Sequence, residues 1–180
     1  MKKLFAVMMA LCLALCAVSF AEETAAAPKA PVQITPDISF GMSLEEVQKI
    51  LGSKVHEKKT ERTRAGLAFT KLEVEDERVN TFEADVDYLF LNGKLAAVKV
   101  DFEGKNKGVK AAMEEKLNAE YGAAAPVDPS ALGKAIYAID DDGEIEGVAE
   151  AWNADPVVIV LEQDHDGEVE MTAVDVSAIF

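Results

Sequence analysis

The sequence predicts an α+β fold: an antiparallel β-sheet with two short helices packed on one face. Two observations predict it. Apolar and polar residues alternate in several segments with the period of two that half-buried strands require. Two other segments carry apolar residues at helical spacing and end in glycine. The order is helix, three strands, helix, three strands, which we interpret as two α-β-β-β repeats whose apolar stripes meet between helices and sheet.

Residues 1–21 have the pattern of a secretory signal peptide. Two lysines precede the apolar run Leu4–Val18, and the small residues Ser19 and Ala21 suit signal peptidase. The run is shorter than the roughly 20 residues that span a bilayer as a helix. We expect cleavage after Ala21, and a protein that is secreted or located in the periplasm or cell envelope.

Both cysteines of the chain lie in this leader, so residues 22–180 contain none. Leu13–Cys16 resembles a lipoprotein cleavage box, but the position before the cysteine normally takes a small residue and here holds Leu15. Lipidation at Cys16 is therefore not expected.

Acidic residues outnumber basic ones. The full sequence has 33 Asp and Glu against 18 Lys and Arg, a net charge of −15. The leader holds two lysines and no acid, so its loss brings residues 22–180 to −17. A field of this sign repels nucleic acid and anionic lipid headgroups. We expect no nucleic-acid partner, no stable membrane insertion after the leader is removed, and a preference for basic protein surfaces or loosely held divalent cations.

Residues 22–37 are rich in alanine and proline and have little to bury, which predicts a flexible tether. The first half of the folded body is then expected over 38–104 and the second over 105–180. The first half opens with a short helix, because Ser43 and Glu46 have capping-box spacing and Gly52 can end it. The residues expected on its buried face are Leu44, Val47, Ile50 and Leu51.

Strands follow this helix. Residues 53–64 are polar and predict an edge strand or a loop, and Leu67–Val74 is a strand candidate. Phe82–Phe90 and Leu95–Phe102 both alternate, and Asn92-Gly93 between them is the preferred pair for a type I′ turn. In the second of these strands, Leu95–Phe102, alternation places four apolar residues on one face: Ala96, Val98, Val100 and Phe102.

The second half repeats this order. A helix is expected over 107–121, with apolar residues four apart and Gly122 as its stop. Residues 123–133 predict a loop. Three strands are expected after it, over 147–152, 157–162 and 169–176, with Asp166-Gly167 as the turn between the last two.

The run Phe40–Val47, closed by Leu51-Gly52, resembles the opening helix of a group of small exported proteins. These are the BamE (SmpA/OmlA) outer-membrane lipoproteins and the β-lactamase inhibitor protein-like modules. Asn92–Leu95 is similar to the Asp/Asn-Gly-Lys-Leu turn of their β-meander. Leu117–Gly122, followed by Trp152 and Val157–Leu161, resembles a second copy, which is the tandem arrangement of the inhibitor.

The resemblance implies a non-enzymatic protein that binds or scaffolds other proteins through an exposed sheet face and loops. We place those loops around 53–66 and 123–146. No binding residue is carried over, because the matching positions are cap, staple, turn and core. Trp152 has two interpretations, a core anchor if it is buried and a partner-binding hot spot if it is exposed.

Two acidic loops, 140–146 and 164–168, support an alternative function, weak calcium binding, because hard cations prefer clustered oxygens. The candidate ligands are Asp140, Asp142, Asp164 and Asp166. Neither loop is an EF-hand, since setting Gly143 or Gly167 at position 6 puts alanine where the bidentate Glu belongs.

No cofactor and no catalytic group is expected. His56 and His165 are the two histidines of the chain, and the HExxH-like run that starts at His56 has Thr60 in place of the second ligand. We therefore expect an exported, non-enzymatic recognition or scaffolding module. The alternative is a secreted acidic domain that binds calcium weakly.

Overall fold

An antiparallel sheet forms the body of the protein, and a computed structural model describes residues 33–62, 68–104, 108–126 and 148–179. The helices are α1 (Leu44–Leu51), α2 (Val109–Tyr121) and α3 (Val176–Ile179), with a 3₁₀ turn at Gly52–Lys54. The strands are β1 (Glu57–Arg62), β2 (Ala68–Val79), β3 (Phe82–Leu91), β4 (Lys94–Phe102), β5 (Ala125–Pro126), β6 (Val148–Ala154), β7 (Val157–Gln163) and β8 (Val169–Asp175). The predicted α+β class is confirmed.

The strand order is symmetric about the centre of the sheet. It runs β1-β2-β3-β4-β8-β7-β6-β5, so the first half of the chain supplies one side and the second half the other. Val86 pairs with Val100 in the first hairpin. The residues 73 positions later, Ile159 and Ala173, pair in the second hairpin. Within the described residues, the two sides are joined where β4 pairs with β8.

Helices α1 and α2 pack on the same face of the sheet. Val47 and Leu51 of α1 are buried in one cluster with the inward residues of the strands, and three residues of α2 join that same cluster. The α2 residues are Val109, Met113 and Leu117. Both helices bury their apolar stripes against this face. Among the described helices, only the short α3 packs against the opposite face.

The ends of α1 form as the sequence predicts. The Ser43 hydroxyl accepts from the Glu46 backbone N–H at 3.3 Å, and the Ser43 N–H donates to the Glu46 carboxylate at 2.7 Å. Gly52 ends the helix with φ 59°.

The prediction that Ile50 lies on the buried face of α1 is wrong, because Ile50 is 44% exposed. The buried face is centred between Val47 and Leu51, and successive residues turn about 100°, so Ile50 falls at its rim.

The β3–β4 hairpin has the predicted turn. Asn92 and Gly93 have φ values of 53° and 77°, the two positive values that a type I′ turn requires. A bulge follows the turn, since Phe90 pairs with Leu95 but Leu89 pairs with Ala97.

The bulge corrects one predicted face. Ala96, expected beside Val98 under the helices, lies instead with Ala97 in a cluster on the other face. Leu95 takes the position under the helices. The extra residue of the bulge shifts the alternation by one, which a period of two cannot anticipate.

The last residues of the predicted tether, 22–37, take part in the packing of the core. Thr35 is buried, and its hydroxyl lies 3.0 Å from the Tyr88 hydroxyl in the core. Burial raises the pKa of Tyr88 to about 12, so the phenol stays protonated at neutral pH. The expected signal peptide and residues 22–32 of the tether lie outside the described residues.

Among the described strands and α-helices, β5 and α3 were not predicted. β5, only two residues long, pairs with β6 inside the expected loop 123–133, and α3 is a single turn at the end of the described chain. Both are too short to have a readable period. No helix in the described part of the chain is long and apolar enough to cross a membrane.

Candidate recognition face

The sheet has a second face, opposite α1 and α2, which we call the open face. Side chains alternate between the two faces along each strand, so the open face is formed by the residues between those of the helix-covered core. Three zones cross it: an apolar end, an ion-pair zone and an acid row.

The apolar end lies near the Asn92-Gly93 turn. Its buried residues are Phe69, Leu89, Ala96, Ala97 and Val174. Ala178 and Ile179 of α3 pack against it. Asp175 holds the start of α3, because its carboxylate accepts from the backbone N–H of Ser177 at 3.0 Å.

The ion-pair zone is centred on Lys71. Its Nζ lies 2.8 Å from Asp87 Oδ2 and 3.2 Å from Glu73 Oε2. The Lys71 and Asp87 side chains are only 14% and 18% exposed. Burial lowers the pKa of Lys71, but hydrogen bonds and attraction from two carboxylates outweigh it and leave that pKa raised. Burial also raises the pKa of Asp87, and the ammonium groups of Lys71 and Lys99 do not fully offset that rise. The ion pair of Lys71 with Asp87 therefore forms at a cost in desolvation free energy.

A second ion pair crosses the junction between the halves. Lys99 Nζ of β4 lies 3.0 Å from Glu170 Oε2 of β8. The Thr172 hydroxyl donates to the other oxygen of Glu170 at 3.0 Å. Two partners thus fix the Glu170 carboxylate on the open face.

The acid row lies beside this pair. It consists of four carboxyl groups that face one another across β3, β4, β8 and β7: Asp85, Asp101, Glu170 and Glu162. Asp101 is exposed, yet the neighbouring protein removes enough water from its carboxyl group to raise its pKa. Glu170 raises that pKa further by charge and hydrogen bonding, Lys99 opposes the rise, and the result is about 7.

Trp152, one of the residues singled out from the sequence, lies in the core. It is 1% exposed, and its indole N–H donates to Asn118 Oδ1 at 3.0 Å. The interpretation of Trp152 as a core anchor therefore applies, and the indole offers no surface to a partner. Burial follows from the register, because Trp152 is opposite Ile159 on the helix-covered side of β7.

The structure describes two of the four candidate calcium ligands, Asp164 and Asp166. Asp164 closes the β7–β8 turn, where its carboxylate accepts the Glu168 N–H at 2.8 Å, and Asp166 is exposed in that turn. Among the described residues, no three His, Cys, Asp or Glu side chains are placed to hold a metal ion. Asp140 and Asp142 lie outside the described residues, so calcium binding stays a prediction.

The ion pairs of the open face were not singled out from the sequence. Their signal was present as charged residues alternating with apolar ones in β2, β3 and β4. Alternation alone places Lys71 and Asp87 on the polar face of a strand. It does not reveal that the two side chains meet, because that depends on the register between strands.

Comparisons with protein-family models, with curated proteins and with solved structures found no match for this chain. What the open face can do chemically therefore follows from its own side chains. It presents fixed carboxylates and ammonium groups beside an apolar end, a combination suited to binding a polar surface of complementary charge.

Proposed function

We propose that this chain is an exported, non-enzymatic module that recognises or scaffolds another protein through the open face and the loops around 53–66 and 123–146, of which 63–66 and 127–146 lie outside the described residues. Export rests on the signal-peptide pattern of residues 1–21. Recognition rests above all on the ion pairs of the open face, whose side chains are held in place by one another and are covered by neither α1 nor α2.

Fixed side chains favour binding because less conformational entropy is lost on association. Lys71 is already held by two carboxylates, and Glu170 by an ammonium and a hydroxyl. A partner that meets these groups does not need to order them. Their partial burial also strengthens each charge interaction relative to one in bulk water.

The edges of the sheet are poorly suited to adding a strand from a partner. β1 has the sequence Glu-Lys-Lys-Thr-Glu-Arg, and charged residues on an edge oppose pairing with another chain. At the other edge β5 is two residues long and contains Pro126, which has no N–H to donate. The open face is therefore the better candidate than strand addition.

The charge of the open face selects the kind of partner. Carboxylates outnumber ammonium groups among its described residues, with four in the acid row against Lys71 and Lys99 at its centre. We expect the partner to present a basic surface, and we expect its association to slow as salt screens the attraction.

The experiment that tests this is cross-linking capture with residues 22–180 from envelope and culture-supernatant fractions, read by mass spectrometry. An open-face variant, Glu57→Lys with Glu83→Lys, is compared with a matched helix-layer variant, Glu45→Lys with Glu115→Lys. All four glutamates are exposed, and the change in charge is the same.

We expect one stoichiometric partner that the wild-type chain and the helix-layer variant capture and the open-face variant loses. Loss in the helix-layer variant alone would place recognition on the helices and refute the open-face proposal. A blank with the wild-type chain in both fractions would count against recognition altogether.

A further inference from the structure

Met42, directly before the Ser43 cap of α1, lies where three segments of the chain meet. Its carbonyl accepts the backbone N–H of Leu95 in β4 at 2.8 Å, and the Gly41 N–H donates to the Leu95 carbonyl at 2.9 Å. The N–H of Met42 donates to the Ser39 carbonyl at 3.3 Å. Met42 therefore joins the chain that enters the fold to the first turn of α1 and to the start of β4.

The Met42 side chain belongs to the same junction. Its Sδ accepts the backbone N–H of Ser39 at 3.2 Å. The side chain is partly buried, and it packs against the core cluster that contains Val47 and Leu51 of α1. One sulfur atom thus acts both as an apolar packing atom and as a weak hydrogen-bond acceptor.

Met42 also carries the sulfur that is most open to solvent in residues 22–180. That part of the chain contains the sulfur atoms of Met42, Met113 and Met171, because both cysteines precede residue 22. Met113 and Met171 are each 1% exposed within the helix-covered core, whereas Met42 is partly exposed. Because oxidation of a methionine follows access to its sulfur, an oxidant in solution meets Met42 first.

We propose that Met42 is an oxidation site and that its sulfoxide loosens α1 from the start of β4. A peroxide supplies the oxygen: an S–O bond forms at Sδ while the O–O bond of the peroxide breaks. The sulfur is oxidised by two electrons and the peroxide is reduced. With hydrogen peroxide, the proton on the transferred oxygen goes to the leaving hydroxide, which departs as water. This site is independent of the recognition function.

The sulfoxide acts on α1 because it places a polar oxygen where an apolar side chain packs against the core. The new oxygen projects from the sulfur, so the Ser39 N–H must move to reach it or lose its acceptor. Helix α1 is eight residues long and buries only Val47 and Leu51. A helix this short depends on its packing, so a disturbed N-terminal junction should loosen α1 before it affects the central strands.

The first measurement follows oxidation of the exported chain, residues 22–180, by dilute hydrogen peroxide. Lysines separate Met42, Met113 and Met171 into different tryptic peptides, so mass spectrometry reads the gain of one oxygen at each methionine. Met42 should react at least about tenfold faster than either of the others, because a fully buried sulfur reacts only when the protein opens around it. In urea the three rates should converge, which controls for intrinsic differences between the peptides.

The second measurement determines what the sulfoxide does to the fold. The Tm of the chain oxidised at Met42 should fall by about 2–4 °C. Methionine sulfoxide reductases specific for the two sulfoxide epimers should together restore it. Hydrogen exchange should become faster at the Gly41 and Leu95 amides, which bond across the junction, and stay unchanged in β7. Met42→Leu nearly keeps the side-chain volume but has no sulfur, so the same treatment should leave its Tm unchanged.

Three outcomes would overturn the proposal. Oxygen uptake at Met113 or Met171 as fast as at Met42 in the folded chain would show that the structure does not direct the oxidant. A Met42 sulfoxide with unchanged Tm and unchanged exchange would show that this side chain does not hold the junction. An equal fall of the Tm in treated Met42→Leu would place the damage elsewhere. The first two results need no variant, so the test does not depend on Met42→Leu folding.

Discussion

At the scale of single residues, the Asn118 side chain links α2 to β6 and to the chain that follows α2. Its side-chain oxygen accepts from the Trp152 indole N–H at 3.0 Å and from the Ala124 backbone N–H at 3.2 Å. One amide thus satisfies the buried polar atom of the indole and holds the chain just after α2. Trp152 is one of the largest fully buried side chains, so its hydrogen bond with Asn118 helps to position α2 against β6.

We predict that Asn118→Ala lowers the free energy of unfolding by about 1–3 kcal/mol, because the buried indole N–H loses its acceptor. The measurement is urea unfolding of residues 22–180, followed by the fluorescence of Trp152, the one tryptophan of the chain. Glu115→Ala, an exposed change on the same helix, should cost less than about 0.5 kcal/mol. Equal costs for the two variants would show that the bond contributes nothing.

At the scale of elements, the β3–β4 hairpin depends on backbone conformation at its turn. Gly93 has φ 77°, and a Cβ added there would meet no atom within 4 Å. A substitution is therefore opposed by backbone strain alone and not by crowding. The turn also holds α1, since the Gly93 carbonyl accepts from the Leu44 N–H at 3.1 Å.

We predict that Gly93→Ala costs about 1–2 kcal/mol, the price of a left-handed alanine. Thermal unfolding against Lys94→Ala, an exposed neighbour in the same hairpin, isolates the strain. The control should change stability by less than about 0.5 kcal/mol. If Gly93→Ala behaved like the control, the turn would not hold its positive φ in solution.

At the scale of the whole molecule, each side of the sheet has four strands after a helix in the described part of the chain, but the open faces of the two sides differ. The first half places the Lys71 ion pairs there, on β2 and β3, and shares the Lys99–Glu170 pair with β8 of the second half. Positions on β7 that continue the same rows include Val158 and Val160, opposite Val174 and Thr172. The open face thus presents charged and apolar zones side by side, which suits the proposed recognition of an asymmetric partner surface.

Calcium provides the test that separates the two functions considered for the whole protein. For a recognition module we predict that millimolar calcium leaves the Tm of residues 22–180 unchanged. A ligand bound by the folded state would raise the Tm by mass action. A rise that disappears in Asp140→Asn with Asp142→Asn, or in Asp164→Asn with Asp166→Asn, would instead favour the calcium alternative and identify the loop.

The sequence alone determined the local structure. Capping chemistry predicted both ends of α1, the Asn92-Gly93 pair predicted its turn, and alternation predicted β3 and most of β4. These features depend on neighbours in sequence, so their physics is visible in a linear chain. The class of fold followed from the order of those elements.

Only the tertiary structure decided which residues meet. The bulge that moves Ala96 to the open face, the burial of Trp152 and the ion pair of Lys71 with Asp87 all depend on register between strands. The pairing of Asp101 with Glu170 across the β4–β8 junction joins residues from different halves of the chain. Such pairings are set by how two hydrophobic faces fit against common helices, and no local pattern specifies that fit.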